Sequence, residues 1–425
     1  MKNVLIISYY WPPCGGVGVQ RWLRISKYLS QFGWTPTIIT TENGDYPFYD
    51  VSLSGYVTND IKVIRTKTPT FRDIFSFLSG QKEIPYGSLT SSKEDTLVKR
   101  LMLFLRAQLI VPDMRVIWNR NAFIAAEKEI LKGKYNAIIT TGPPHSTHLV
   151  GLKLRKKYNI RWLVDMRDPW TNIYYYQSTN RNRLICYLDK TLEKKVINYA
   201  DKIVTVSNDI AKSLNNKKVH IISNAFDPID YIDYTYQRTN AFRIKFVGNL
   251  NQSRKGDILR IIKCLDDLCT ANKIDIEFSI IGSEIDLSHE LKLKRVSLRN
   301  TGFINHHKVI EECVNSELLL LLINKASDNK GILTYKLFEY LGSKTKIIGV
   351  GPVKGDAAEI LRFTKAGEMF EYSDIEGLNQ FVLNNHHQWN EKEIARNAND
   401  INQYSMPHIT EMFTKLLDEF LNGGF

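Results

Sequence analysis

The chain has 425 residues, of which 43% are hydrophobic and 24% charged, and it carries a formal net charge of +12. That length exceeds one ordinary core and points to two domains, with a composition that excludes a disordered or fibrous chain. Five scattered cysteines, with no CxxC pair and no zinc spacing, exclude a disulfide framework and fit a reduced, cytoplasmic setting.

No apolar run approaches the roughly 20 residues that span a bilayer. The opening run is too short for a signal-peptide core and suits a first buried strand. The positive charge asks for an anionic partner: nucleotide phosphates, an anionic membrane surface or nucleic acid. Lys and Arg are spread along the chain instead of forming a stripe, which speaks against nucleic acid.

The first strand runs from Val4 to Ser8 and leads into the loop Tyr9 to Gly18. A helix over Gln20 to Phe32 follows, with Trp22, Ile25, Leu29 and Phe32 at core spacing. Gly33 closes it, and Thr35 to Thr40 is the next strand, so the chain opens with a βαβ unit. The segment Gly15-Gly16-Val17-Gly18 is half a dinucleotide fingerprint, with Arg21 standing where the third glycine belongs. No acidic residue marks a ribose site at the end of the second strand, so the pattern does not support NAD. Gly15 and Gly16 allow close backbone approach to a ligand, and Arg21 can add a positive charge or sit on the surface.

Ile61 to Arg65 reads as a third strand, and residues 66–120 as an insertion. Within it Leu97 to Val111 is an amphipathic helix with Lys99, Arg100 and Arg106 on one arc, followed by Arg115 and Arg120. The pattern fits a peripheral membrane contact across 97–120, or a core helix with a solvated basic edge. Ala137 to Thr141 and Arg161 to Asp165 are strands. Their ends carry His145, His148, Arg167 and Asp168, placed where open α/β sheets bind ligands. A charged helix spans Leu184 to Asn198, and strands follow at Lys202 to Ser207 and Val219 to Ile222. Asn224 to Thr239 breaks the periodicity and reads as the interdomain linker.

A second α/β set has strands at Ile244 to Val247, Ile276 to Ile281, Ser297 to Arg299, Leu318 to Ile323, Lys346 to Val350 and Glu368 to Tyr372. The loop Gly248 to Gly256 puts Arg254 and Lys255 at a strand's carboxyl end. After Leu318 to Ile323 come a glycine-bearing loop and a helix with Leu333, Leu337 and Leu341 on one stripe. Lys336 and Glu339 stand at i, i+3 near its start, and Gly342 can end it. A helix start of this kind offers amides to an anion, and the pair can hold a phosphate and a ribose hydroxyl. The other reading is a crossover helix with one exposed ion pair. The chain closes with a bend at Tyr404 to Pro407 and a final helix, His408 to Leu421.

Taken in order, several motifs resemble the retaining nucleotide-sugar glycosyltransferases of the GT-B fold, in particular the large bacterial family 4 of capsule and O-antigen type. They are Pro-Pro-Cys-Gly-Gly-Val-Gly-Val-Gln-Arg ending at Arg21, Asp165-Met166-Arg167-Asp168-Pro169-Trp170, Phe246-Val247-Gly248 with Arg254-Lys255-Gly256, and Leu333-Thr334-Tyr335-Lys336-Leu337-Phe338-Glu339-Tyr340-Leu341. The resemblance covers nearly the whole chain. It implies two Rossmann-like domains facing across a cleft: 1–223 for the acceptor, 241–395 for the nucleotide-sugar, and C-terminal helices over 396–425 crossing back to the first domain.

By the same resemblance Glu339 would accept from the ribose hydroxyls, and Arg254, Lys255 and Lys336 would neutralise the diphosphate. Amides of Leu333 and Thr334 would bind the distal phosphate, the stretch Gly302 to Ile304 would pass the base edge, and Gly15 and Gly16 would approach the diphosphate. Asp168, Lys255 and His145 are the candidate catalytic residues. Gly331 stands where family members carry a first glutamate, Asn249 where an arginine often follows the glycine. The histidine held near the sugar has His145 and His148 as its nearest candidates.

The implied reaction is transfer, with retention and without a bound metal or cofactor, from a UDP- or GDP-linked sugar to a glycan or lipid-linked oligosaccharide in surface-polysaccharide assembly. It would take place in the cytoplasm, at the inner face of the plasma membrane. Strict Asp-x-Asp, the metal–diphosphate signature of the other large glycosyltransferase fold, does not occur. The rivals are a sugar-nucleotide epimerase of the same two-domain fold and, further off, a nicotinamide-dependent oxidoreductase.

Overall fold

The computed structural model describes residues 2–46, 49–68, 110–172, 181–250, 252–285, 287–326, 328–393, 396 and 399–422. The chain divides into two compact units, Met1–Ser223 with Ile409–Phe425, and Asn224–His408.

The first unit opens with β1 (Lys2–Ile7), α1 (Val17–Leu29), β2 (Trp34–Thr41) and β3 (Lys62–Thr66). It continues with α2 (Asn119–Ile130), β4 (Ala137–Gly142), α3 (Thr147–Tyr158) and β5 (Arg161–Met166). Then come α4 (Arg183–Tyr199), β6 (Lys202–Thr205), α5 (Asn208–Leu214) and β7 (Val219–Ile221). The strands form one parallel sheet in the order β3-β2-β1-β4-β5-β6-β7. Val4 to Ile7 and Ala137 to Ile139 are fully buried, because helices cover both faces of such a sheet and leave no polar side. Gly16 begins α1 at φ 97°, a left-handed conformation that glycine adopts without a Cβ clash.

The second unit holds β8 (Phe242–Val247), α6 (Gln252–Asn272), β9 (Ile276–Ile281), β10 (Val296–Asn300) and α7 (His306–Val314). After these come β11 (Leu318–Leu322), α8 (Tyr335–Ser343), β12 (Lys346–Val350), α9 (Asp356–Thr364), β13 (Gly367–Phe370) and α10 (Ile375–Asn390). Its sheet runs β10-β9-β8-β11-β12-β13, again all parallel. Both sheets thus begin 3-2-1-4, the doubly wound order that places a topological switch point beside the first strand.

The last helix, α11 (Met406–Asn422), starts in the second unit and lies from Ile409 onward in the first. There Phe413 meets Trp22 at 5.1 Å between ring centroids, and Asp418 accepts from the Trp34 indole at 2.9 Å.

Three local expectations need correction. Residues 224–239, read as a linker, belong to the second unit. The Phe226 amide donates to the Tyr404 carbonyl, and Tyr236 donates to Glu317 at 2.6 Å. The loop expected from Gly248 to Gly256 becomes helix at Gln252, so Arg254 and Lys255 ride on the first turn of α6. Gly342 does not end α8. It lies inside the helix, where a Cβ would come within 2.5 Å of the Tyr231 ring, and Lys344 in the left-handed region forms the cap. The helix expected over 97–111 lies, up to residue 109, outside the described residues. Of the basic residues after it, Arg115 is drawn to Asp45 and Arg120 is exposed.

Candidate functional site

In a doubly wound sheet the ligand crevice lies beyond the carboxyl ends of the strands flanking the switch point. In the second unit those strands are β8 and β11. They lead into Gly248 and into the loop residues 324–326 and 328–334, and α8 starts where that loop ends.

Tyr335 and Leu337 are buried and hold the helix down, while Lys336 and Glu339 stand one turn apart. The Lys336 ammonium donates to Glu339 Oε2 at 2.7 Å. Burial works against the Lys336 charge, but the Glu339 carboxylate outweighs it and raises the pKa. The other carboxylate oxygen lies 3.6 Å from Nδ1 of His306, at the start of α7, whose Nε2 is 3.5 Å from Asp230. The Tyr231 hydroxyl donates to the Glu339 backbone carbonyl at 2.8 Å. Glu339 is thus braced by three elements while its side chain keeps 8% of its surface open. A carboxylate held in one orientation, with a cation beside it and unfilled acceptor capacity, suits a vicinal diol next to a phosphate.

The amides at the α8 start precede any intrahelical partner, and Thr334, the capping residue, makes no side-chain cap bond. Among the described residues its buried Oγ1 has no hydrogen-bond partner. Leu333 is half-buried just before it. Arg254 is tied to the same loop, its Nε donating to Asn324 Oδ1 at 2.6 Å. Asn329 in turn donates to the Tyr372 hydroxyl at 3.0 Å. Lys255 points elsewhere in this state, with Nζ at 2.5 Å from Glu290 Oε1. Both partners are partly exposed, and such a pair is worth under about 1 kcal/mol, little hindrance to a stronger anion. Gly302 accepts from the Gly282 amide at 2.7 Å, and Ile304 is half-buried beside it. These two follow β10, two strands away from β8 in the sheet order.

In the first unit the switch point lies between β1 and β4, beside the loops from Ser8 to Gly16 and from Pro143 to Ser146. Gly15 is buried and Gly16 half-buried. Arg21 does not face these loops as a free cation. It is 1% exposed and donates to the carbonyls of Ser223 at 2.6 Å and Ile222 at 2.7 Å, with Asp165 at 3.3 Å. Asp165 also accepts from the Trp22 indole at 2.7 Å and the Thr141 hydroxyl at 2.9 Å. Arg167 is likewise committed, clamping the carbonyls of Gly142, Pro143 and Gly18. Asp168 is exposed at the end of β5. Crowding by surrounding protein pushes its carboxyl pKa up and Arg167 pulls it down; its open surface lets water soften the first effect.

His145 stacks flat on Trp170 at 5.2 Å and 7° between planes, with His148 5.8 Å away. Among the described residues neither ring nitrogen of His145 closes a hydrogen bond of good geometry, although the Pro169 carbonyl lies near enough to favour the protonated ring. Burial dominates and lowers its pKa to about 3; burial also holds His148 well below its ordinary value. At neutral pH both imidazoles are uncharged, which suits hydrogen bonding and excludes an imidazolium acid.

A stability consequence follows from the direction of that shift. Between about pH 6.5 and about 3 the unfolded chain binds a proton at position 145 that the folded unit does not, so stability falls as pH falls. The slope approaches 1.36 kcal/mol per pH unit for each such histidine. Urea unfolding of the wild type and of His145→Phe, from about pH 7 to about pH 5, is expected to show a shallower loss in the variant. Equal slopes would remove His145 from the account.

Two parallel sheets of Rossmann order in one chain, with a C-terminal helix belonging mostly to the first unit, make the architecture that of the GT-B fold. No family model matches the sequence, and no curated protein matches it. Among solved structures the chain is similar to sucrose-phosphate synthase from Thermosynechococcus elongatus, with a TM-score of 0.61 at 13% identity and 100% of each chain covered. It is similar to Anabaena Alr3699/HepE in complex with UDP, with a TM-score of 0.60 at 11% identity over 99% of this chain and 100% of that one. A Listeria monocytogenes chain assigned as a UDP-N-acetylglucosamine 2-epimerase gives 0.55 at 10% identity, over 100% of this chain and 98% of that one. At these identities the likeness is one of fold.

Sequence reasoning missed His306, Asp230 and Tyr231. The latter two sit in the short helical turn Pro228–Tyr231, which Asp227 caps by accepting from the Ile229 amide. That Asp-Pro start was the available signal for a folded turn instead of a linker.

Proposed function

We propose that this protein is a glycosyltransferase that moves a sugar from a nucleotide-sugar donor to a glycan or lipid-linked oligosaccharide, with retention and without a metal, in surface-polysaccharide biosynthesis. The single observation that carries the donor assignment is the Lys336–Glu339 pair at the start of α8, beside the switch point of a Rossmann-ordered sheet. The UDP bound in the Anabaena structure of the same fold supports a UDP-linked donor; GDP is the other candidate.

In this reading Glu339 accepts from both ribose hydroxyls. Lys336 and Arg254 face the diphosphate, and the α8 amides at Leu333 and Thr334 receive its distal oxygens. The bond from the sugar's anomeric carbon to the leaving phosphate oxygen breaks ahead of bond formation to the acceptor. Negative charge grows on the diphosphate, and oriented cations and amides stabilise it more as it grows. The acceptor hydroxyl attacks the face the diphosphate leaves and passes its proton to a phosphate oxygen, so configuration is retained. Asp168, exposed at a strand end of the first unit, orients the acceptor, and neutral His145 acts as a hydrogen-bonding group.

In this reading Lys255 leaves Glu290 and turns to the bound diphosphate, and Lys255→Ala is expected to lower kcat by roughly tenfold or more, with a smaller change in donor KM, because charge on the leaving group grows in the transition state. A change confined to KM would make Lys255 a ground-state contact.

The epimerase reading keeps a place because the structural likeness extends to one. Product analysis with nucleotide-sugar and no acceptor separates them. An epimerase turns over, whereas a transferase shows only slow hydrolysis until an acceptor is added. Calorimetric titration with UDP and GDP tests the donor assignment itself, and binding of neither would end it.

A further inference from the structure

Helix α4 of the first unit presents an outward face that nothing in the transfer reading uses. Leu184, Tyr187 and Leu188 are 62%, 68% and 43% exposed, and Tyr199, near the other end, is 47% exposed. They recur at i, i+3 and i+4, so the first three share one side of the helix, with Thr191 and Lys195 continuing the stripe one and two turns on. Arg183, Lys190, Lys194 and Lys195 are all exposed. The helix has two acids, and both turn inward: Asp189 accepts from the Trp170 indole and from Arg181, and Glu193 accepts from Thr171. Among the described residues, every charge that this helix itself places on its outward face is therefore positive. At the C-terminal end exposed Lys156 of α3 lies 4.3 Å over the Tyr199 ring and extends the positive border.

The geometry points to this face as a docking surface for an anionic lipid bilayer. Leucines and a tyrosine in the middle can enter the headgroup boundary, while long lysine and arginine stems reach up to lipid phosphates. A second copy of the chain is a poor occupant, because two-fold pairing of the face would set its cations against themselves. Nucleic acid fits poorly too, since the centre of the patch offers leucines where phosphates need donors. Among the described residues no helix is long and apolar enough to cross a membrane. The contact is therefore one along the surface. It stands on its own observation and does not depend on the transfer reading, and it places the contact on residues other than those the sequence suggested.

Co-sedimentation of the full chain with vesicles tests it. Wild type is expected to bind phosphatidylcholine vesicles containing phosphatidylglycerol at low salt, and on the order of tenfold or more weaker when phosphatidylglycerol is left out. High salt should release it, because the attraction decays over about 8 Å at physiological ionic strength. Two variants, Leu184→Ser/Tyr187→Ser/Leu188→Ser and Lys190→Glu/Lys194→Glu/Lys195→Glu, should each lose binding while keeping the wild-type melting temperature and donor affinity. No sedimentation with anionic vesicles at low salt would overturn the proposal. So would binding that both variants leave intact, or self-association that the apolar variant abolishes. None of these outcomes touches nucleotide binding, so failure here and failure of the transfer reading are read separately.

Discussion

Glu339→Ala is expected to weaken nucleoside-diphosphate binding by about 1.5–3 kcal/mol, the worth of hydrogen bonds to a charged acceptor. By calorimetry that is roughly 10- to 150-fold in Kd. The melting temperature should hardly move. The ion pair lost with Lys336 involves a lysine whose side chain is 32% exposed, and a pair of that kind contributes about 1 kcal/mol or less. The buried surface of α8 comes from Leu337, Phe338 and Leu341, which the substitution leaves alone. Glu339→Gln is the sharper probe, since it keeps shape and one acceptor oxygen but removes the charge that Lys336 and His306 face. A drop in melting temperature with unchanged affinity would turn Glu339 into a brace for α7 and α8 and withdraw it from the site.

Much of the fold could be read from the sequence because parallel strands announce themselves. Val4 to Ile7 and Leu318 to Leu322 are unbroken apolar runs, and runs of that length between helical patterns have few other homes. The i, i+3 spacing of Lys336 and Glu339 predicted proximity, and the side chains do meet at 2.7 Å. What escaped was set by partners distant in sequence. The pairing of Tyr231 with Glu339 spans 108 residues, and no local pattern in an Asp- and Tyr-rich stretch shows it. Gly256 suggested a loop, yet it sits within α6 with nothing near its would-be Cβ, where glycine costs only about 1 kcal/mol of helix propensity. Arg21 followed a glycine loop and so resembled a ligand cation, but its acidic partner Asp165 is 144 residues away.

That partnership makes Arg21→Ala the most disruptive single change foreseen. Removing one member of a buried ion pair leaves the other charge uncompensated and costs about 3–5 kcal/mol. Here Asp165, fully buried, would retain only the Trp22 indole and the Thr141 hydroxyl, and the carbonyls of Ile222 and Ser223 would lose the guanidinium donors. Those two carbonyls end the chain's passage through the first unit, whose last residue before the boundary is Ser223. For a unit of this size the loss corresponds to a fall in melting temperature of roughly 6–20 °C. Nucleotide affinity per folded molecule should stay at the wild-type value, because the groups proposed to hold the donor, Lys336 and Glu339 foremost, lie in the second unit. Arg21→Met combined with Asp165→Leu tests the cause. Exchanging both charges for apolar side chains is expected to cost less than Arg21→Ala alone, giving a coupling of several kcal/mol in a double-mutant cycle. If Arg21→Ala instead leaves the melting temperature unchanged and weakens nucleotide binding, the arginine serves the ligand after all and its bonds to Ile222, Ser223 and Asp165 are dispensable.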